Sequence, residues 1–360
     1  MLTQKKLIVF LLLYCLSLAT LAQENNQDLL IDPVSDTVET LDFFDNPEPL
    51  ELTLKYDITS FIKNKYKGEY LDAELIIYPG DNDSIVKNIR LKARGNFRRG
   101  HCFFPPIYLN FKTDPIEEGE LEGIKKIKLV THCSNSKAYQ DYVLREYLAY
   151  KVYNLISDYS FRVKMVDINY IDTGKKERNY EKHGFLIEPI ELLEKRTNSV
   201  EVEGDLISGL TVLNTEMDRV SVYEYMIANT DWRVRGGHNI KYLKSLDWVT
   251  TKVIPVPYDF DYSGMVDAHY AIPQEWTSVK KVTEREYLGF CRDDEDLYLQ
   301  AIEPYIENKD EIFNIIEDCL YLSEKEKKRL RSFFKRFYDE AEDSRGILNT
   351  LKRQCRDITF

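Results

Sequence analysis

Residues 254–264 read IPVPYDFDYSG, an apolar and proline-rich run that ends on Asp259 and Asp261 around Phe260. A strand that stops in Asp-x-Asp puts two carboxylates at the rim of a folded core. Upstream, NIKYL begins at Asn239 and has the same strand-like character. The midpoint of positions 239 and 259 falls at 249, inside the turn-like SLDWVTT of Ser245–Thr251. The two runs therefore read as a hairpin whose open end sets Asn239 beside Asp259. The helix-patterned RVSVYEYMIAN ends near Asn229, which leaves Asp231 in the loop at the same end. One Asp, one Asn and an Asp-x-Asp pair are expected to converge at the mouth of a cleft.

That donor set suits a hard divalent cation. Mg²⁺ or Mn²⁺ is held through one or two carboxylates plus substrate phosphate oxygens. Phosphoryl transfer asks for an acceptor-side carboxylate and for Asn and Asp ligands to metal. Loop Asp, Asn, hairpin, Asp is the order used by protein-kinase-like enzymes. Asp231 would be the catalytic carboxylate, and Asn239, Asp259 and Asp261 would be metal ligands. The literal kinase signatures are missing: there is no His-Arg-Asp, Asp261 stands where Gly would follow the Asp-Phe pair, and no Gly-x-Gly-x-x-Gly precedes them. A structural Ca²⁺ site is the rival reading of Asp259 and Asp261, but it leaves Asp231 and Asn239 unexplained.

The half of the chain before this hairpin alternates like a sheet. ELTLKYD, AELIIYP, NIRLKARGN, PIYLNFK, IKLVTHC, VKMVDINYI and GFLIEP all read as strands. One stretch breaks the pattern: in AYQDYVLREYLAYKVYNLI, Val143, Leu144, Tyr147, Leu148, Lys151, Val152 and Leu155 recur at three and four, which predicts a long helix. Two features here suit phosphate. In KARGNFRRGH, Arg94, Arg98 and Arg99 bracket a turn with Gly95 and Gly100; arginine forks and free amides bind phosphate, although an ordinary basic turn reads the same way. Lys128 on a strand, followed by Glu146 on the helix, would make a phosphate-holding lysine and its carboxylate partner. Lys92 and Lys112 are rival lysines, and Glu146 has Lys151 as an alternative partner.

After Pro189 the patterns turn helical. Ser323 and Glu326 form a capping box opening SEKEKKRLRSFFKRFYDEAE, with Leu330, Phe333, Phe334, Phe337 and Tyr338 as its buried stripe. The expected fold is α+β, a protein-kinase-like two-lobe fold: residues 49–188 a mainly β N-lobe with one prominent helix, residues 189–360 a mainly α C-lobe carrying the catalytic loop and the DFD hairpin.

RGNFRR, KKIKLVTHC, LREYLAYKVYN, VDINYID with GFLIEP, the NTD of Asn229–Asp231 and PYDFDYSG also occur in the order found in the CotH kinase family, which the chain resembles over roughly residues 85–265. The resemblance implies an ATP-dependent and Mg²⁺-dependent protein kinase acting outside the cytoplasm. It implies the catalytic role for Asp231 and the metal for Asp259; in the phosphotransferase reading of the residues, Arg94, Lys128 and Glu146 would position the nucleotide phosphates. Phe97, Arg98 and Arg99 depart from the small hydroxylated residues usual after RGN, and the basic, glycine-rich WRVRGGH of 232–238 has no assigned place. A catalytically inactive scaffold in cell-envelope or surface assembly is the alternative.

The chain opens with Lys5, Lys6 and the apolar LIVFLLLYCLSLATLA, with Thr20 and Ala22 small enough for a cleavage site. Residues 1–22 read as an export signal. A retained anchor is the rival, but the run is short for a stable span. Tyr14 before Cys15 argues against a lipoprotein site. Residues 23–48 carry eight acids and no Lys or Arg, the composition of a disordered leader. The formal charge of −12 becomes −14 once the two lysines of the signal are removed, which argues against nucleic acid as the partner. A protein acceptor in the periplasm, at the cell surface or in the medium is the expected partner. Export allows disulfides. A Cys102–Cys133 bridge or two buried thiols is favoured over a zinc site built with His101 and His132, because adjacent strand residues point to opposite faces.

Overall fold

The computed structural model describes residues 42–358, apart from 81–82, 118, 175–177, 204–206 and 248–249. The expected export signal and the expected leader up to residue 41 lie outside the described residues. Seven alternating segments form β1 (Leu50–Tyr56), β2 (Leu71–Gly80), β3 (Asp83–Ala93), β4 (Ile107–Asn110), β5 (Lys126–Val130), β6 (Val163–Asp172) and β7 (Asn179–Ile187). They close into a barrel in the order β1-β2-β3-β4-β5-β7-β6. Every neighbouring pair is antiparallel except the closing one, where β1 runs parallel to β6 from Leu50 opposite Val166 to Tyr56 opposite Asp172.

This corrects the expected protein-kinase-like two-lobe fold. The β-rich half is a closed mixed barrel, not the open sheet of an N-lobe. Period-two alternation shows which face of each strand is buried, but not which distant strand its edge meets. Pairing of β1 with β6 satisfies both remaining edges. Leu54, Leu91, Leu109, Leu129 and Ile168 point into the barrel cluster, all essentially buried. Each such side chain contributes about 2 kcal/mol of burial.

Around the barrel lie α1 (Asp42–Asp45), α2 (Ile58–Asn64), α3 (Phe97–His101) and the long α4 (Lys137–Ile156). After β7 come α5 (Ile190–Arg196), β8 (Ser199–Glu201), α6 (Asn214–Met226), β9 (Ile240–Ser245) and β10 (Ile254–Pro257). Four helices follow: α7 (Glu295–Glu307), α8 (Lys309–Glu317), α9 (Glu324–Ala341) and α10 (Ser344–Gln354). Strands β10-β9-β8 make a separate three-stranded sheet. Half of the expected capping box of α9 is present: Ser323 Oγ accepts from Glu326 N at 3.4 Å, while Glu326 Oε2 pairs with Arg145 and Arg329, and Leu330, Phe333, Phe334, Phe337 and Tyr338 are all buried. Helix α4 joins the second core through Leu144, Leu148, Tyr150 and Tyr153, which also takes in Tyr223 of α6.

The leader boundary expected at residue 48 falls inside the folded unit. Phe44 is buried and Asp45 pairs with Arg162, so an acidic composition at 42–48 does not prevent packing there. Cys102 is bonded to Cys133 and Cys291 to Cys355, which leaves Cys319 as a buried free thiol among the described residues. No helix among the described residues is long and apolar enough to cross a membrane.

Candidate functional site

The hairpin forms with nearly the register read from the sequence. Strands β9 and β10 pair from Ile240 opposite Pro257 to Leu243 opposite Ile254. One step out, Tyr258 N donates to Asn239 O at 3.0 Å, so Asn239 faces Tyr258 and Asp259 comes next. Asn239 and Asp259 both take left-handed backbone, with φ of 55° and 67°. Asn and Asp are among the few side chains that accept this region; a β-branched residue there would be strained. Tyr150 Oη accepts from Asp259 N at 2.8 Å and fixes that turn against α4.

Asp231 sits where α6 has run out. Its N–H donates to Asn229 Oδ1 at 3.0 Å, an Asx turn that explains Asn at the first position of NTD. Asn239 Nδ2 then donates to Asp231 O at 2.7 Å and to Asp231 Oδ2 at 3.1 Å. The other carboxylate oxygen, Oδ1, lies 2.9 Å from His238 Nε2 and accepts from Gln274 Nε2 at 2.6 Å. The hydrogen bond to Asp231 raises His238 above the usual imidazole range, against its partial burial. A small cleft of about 190 Å³ opens over Asp231, with Arg233, His238, Gln274 and Trp276 in its walls. Larger cavities lie elsewhere, one of about 650 Å³ on the outer barrel beside Asp167 and His183 and one of about 380 Å³ beside Cys319. Neither contains a residue of the hairpin constellation.

Asp261 is placed differently from the expectation. Its Oδ2 accepts from Arg98 Nε at 2.8 Å and from Tyr270 Oη at 3.0 Å. The same guanidinium donates through Nη2 to Glu146 Oε2. Arg98 is thus a buried cation between two buried carboxyls. Burial pushes both carboxyls up, with Arg98 opposing it; burial also weighs on Arg98, and the two acids overcome it and hold Arg98 charged. One cation for two acids leaves the cluster holding a proton more readily than isolated carboxylates do.

Glu146 therefore does not pair with Lys128, which corrects the expected lysine–glutamate pair. Lys128 Nζ lies over the rings of Phe161 and Tyr258, at 5.8 and 5.4 Å, and makes no ion pair among the described residues. Its pKa is lowered to about 8: burial lowers it most, Arg94 adds to that, and Asp259 opposes both. Arg94 stacks on Tyr108 at 5.9 Å and keeps a buried Nε without a partner. Arg98 and Arg99 do not sit in a loop as expected: they lie in α3, begun after Gly95 at φ 84°.

The site thus gathers Asp231, Asn239 and Asp259 at one hairpin end, with Lys128 in the field of Asp259 and Arg94 beside Lys128. Glu146 and Asp261 stand behind them, joined by Arg98. Among the described residues no cluster of three or more His, Cys, Asp or Glu side chains is arranged to hold a metal ion. The protein's own share of a metal site would be Asp259 and Asn239, whose Nδ2 is committed to Asp231 and whose Oδ1 is left for a cation. Asp261 does not fit a ligand role through Oδ2, which Arg98 and Tyr270 occupy. Tyr150, Gln274 and Trp276 went unrecognised in the sequence. Only Tyr150 had a signal there, one turn beyond Glu146 on the same face of α4.

No family model matches the chain, and no curated protein matches it. Among solved structures the chain is similar to the Helicobacter pylori proinflammatory kinase CtkA, at 12% identity and a TM-score of 0.36, over 78% of this chain and 90% of that one. The comparison shows a remote likeness to one kinase and does not show the CotH family; a likeness of this size settles neither the fold nor the activity of the chain.

Proposed function

We propose that the chain is an exported phosphotransferase that moves a phosphoryl group from ATP, with Mg²⁺ or Mn²⁺, to a hydroxyl on a protein. One observation carries this reading: Asp231 and Asn239 are hydrogen-bonded to each other at the hairpin end that presents Asp259, and Lys128, without an ion pair among the described residues, lies in the field of that carboxylate with Arg94 beside it. Unpaired buried cations next to a carboxylate call for an anion and a cation together, which a metal-bound polyphosphate supplies. The metal would neutralise phosphate oxygens as charge moves to the leaving group. Asp259 and Asn239 Oδ1 would hold it, and Lys128 and Arg94 would hold the phosphates.

Asp231 orients the acceptor hydroxyl and takes its proton as the new oxygen–phosphorus bond forms and the bond to the leaving diphosphate breaks. Asn239 keeps the Asp231 carboxylate turned toward the cleft. Both disulfides support the export half of the reading, since such bonds persist in oxidising compartments. The test is transfer of labelled phosphate by the purified chain with Mg²⁺ or Mn²⁺, beside Asp231→Ala and Asp259→Ala. Metal-dependent labelling lost in both variants is expected. No labelling and no thermal stabilisation by any nucleotide–metal pair would sink the reading.

A non-catalytic scaffold of the cell envelope is the second reading. The observation in its favour is that Asp261 is occupied by Arg98 and Tyr270. Nucleotide-independent stability together with intact surface assembly would select it.

A further inference from the structure

The basic WRVRGGH segment lies beside the acceptor cleft. Trp232 and Val234 are buried while Arg233 and Arg235 are exposed, so the backbone sends both guanidiniums to solvent. The turn is fastened at several points. Arg233 and His238 exchange backbone hydrogen bonds of 3.0 and 3.1 Å, and Gly237 N donates to Val234 O at 3.0 Å. Tyr242 Oη donates to Val234 O at 2.6 Å. Gly236 and Gly237 take φ of 82° and 61°, conformations that suit glycine. Arg233 Nε donates to Arg235 O at 3.0 Å, which sets the first guanidinium on the turn.

Neither arginine has a carboxylate partner among the described residues, although the chain carries 61 acids against 49 Lys and Arg. Many exposed cations elsewhere do have one: Lys335 with Asp339, Arg331 with Glu317, Lys352 with Glu295. The two arginines stand at the rim where the Asp231 carboxylate would otherwise repel an anionic substrate. Arg233 lines the cleft over Asp231, and Arg235 is exposed two residues further along the same turn.

We propose that this turn selects an acidic acceptor: a Ser or Thr hydroxyl carried on a peptide segment with Asp or Glu beside it. The inference rests on the phosphotransferase reading for what happens to the hydroxyl, but the recognition itself is a binding property. Arg233 and Arg235 pair with the flanking carboxylates, and the acceptor hydroxyl is brought over Asp231.

The test is fluorescence anisotropy of the full chain with two labelled peptides, a Ser flanked by Glu and the same Ser flanked by Gln. The Glu peptide is expected to bind roughly tenfold tighter at low salt, because each exposed ion pair contributes only severalfold, and the gap should shrink at high salt. An Arg233→Glu, Arg235→Glu double variant should invert the preference toward Lys-flanked Ser, with its thermal midpoint confirming that it folds. Equal binding of the two peptides, or a preference that survives the double reversal, overturns the proposal. Nucleotide binding is read in the same samples by thermal shift. Preference for the Glu peptide without nucleotide binding overturns the phosphotransferase reading alone. Nucleotide binding without peptide preference overturns the acceptor assignment alone.

Discussion

Two of the molecule's buried charge clusters are finished to different degrees. At the first, Arg162 donates to Glu188 Oε1 from Nε at 2.9 Å and from Nη2 at 2.7 Å, to Glu120 at 2.5 Å and to Asp45 at 2.8 Å. Glu188 also accepts from Arg162 N at 3.0 Å and from Arg196 at 3.1 Å, and Phe44 N closes the second oxygen of Glu120. Each of the charged groups has its partners inside the protein. At the second, Arg98 is shared between Glu146 and Asp261, while among the described residues Lys128 and Arg94 have no carboxylate partner and Asp259 makes no ion pair. A saturated network fixes the chain; an unsaturated one keeps binding capacity for something from outside.

The sharpest break in this comparison is Asp259→Ala. Phosphate transfer should fall by about 10³-fold or more, while urea unfolding should lose no more than the roughly 1–2 kcal/mol that Ala costs in left-handed backbone, because Asp259 makes no ion pair among the described residues. Arg162→Ala should do the reverse. It strands Glu188 and Glu120 without their main cation, so unfolding free energy should drop by about 3–5 kcal/mol, while nucleotide-induced stabilisation of the folded fraction persists. An unchanged unfolding curve for Arg162→Ala, or a collapsed one for Asp259→Ala, would erase the distinction between the clusters.

Arg98→Ala tests the middle case. Glu146 and Asp261 are raised by burial and would take up protons once Arg98 is gone, so the expected loss is smaller, about 2–3 kcal/mol near neutral pH. The sign follows from linkage. Carboxyls raised in the folded state bind more protons than in the unfolded state, so the variant should lose stability as pH rises and recover it on acidification. A pH-independent loss in denaturant titrations would show that Arg98 acts through packing alone.

How much of this was readable without coordinates differs between the two ends of the chain. The hairpin followed from turn length and strand pattern, because its partners are close in sequence: Asn239 and Tyr258 meet across a single turn. The stripe of α9 and its Ser323 cap were equally local. Barrel closure was not, since β1 and β6 meet through a pairing that joins Leu50 to Val166 and leaves no mark on either segment's alternation. The partner of Glu146 was misassigned for a similar reason. Lys128 and Arg98 both lie before α4, and only the packing of α3 and its bridge from Cys102 to Cys133 decides which cation reaches the carboxylate. Composition told of an acidic chain, but not that Arg233 and Arg235 would stand unpaired on one turn.

The smallest expected effect separates a binding cation from a structural one. Lys128 titrates near 8 in the folded chain, well below the ordinary 10.5, because burial disfavours its charge. Between those values the folded protein holds fewer protons than the unfolded one, so Lys128 makes stability rise with pH in that window. Nucleotide binding runs the other way, since a phosphate is held by the ammonium form: affinity should be full below about 8 and decline above it. Bound phosphate favours the charged lysine, so the midpoint of the saturated complex should sit higher than that of the free protein. Lys128→Met should weaken nucleotide binding by about tenfold below pH 8, flatten the decline above it and remove the opposing rise in stability. Arg162, saturated by acids and held charged throughout this range, offers no such pair of opposed pH profiles. Affinity and stability that move together with pH in the wild type would place Lys128 with Arg162 as a structural cation and take the phosphate away from it.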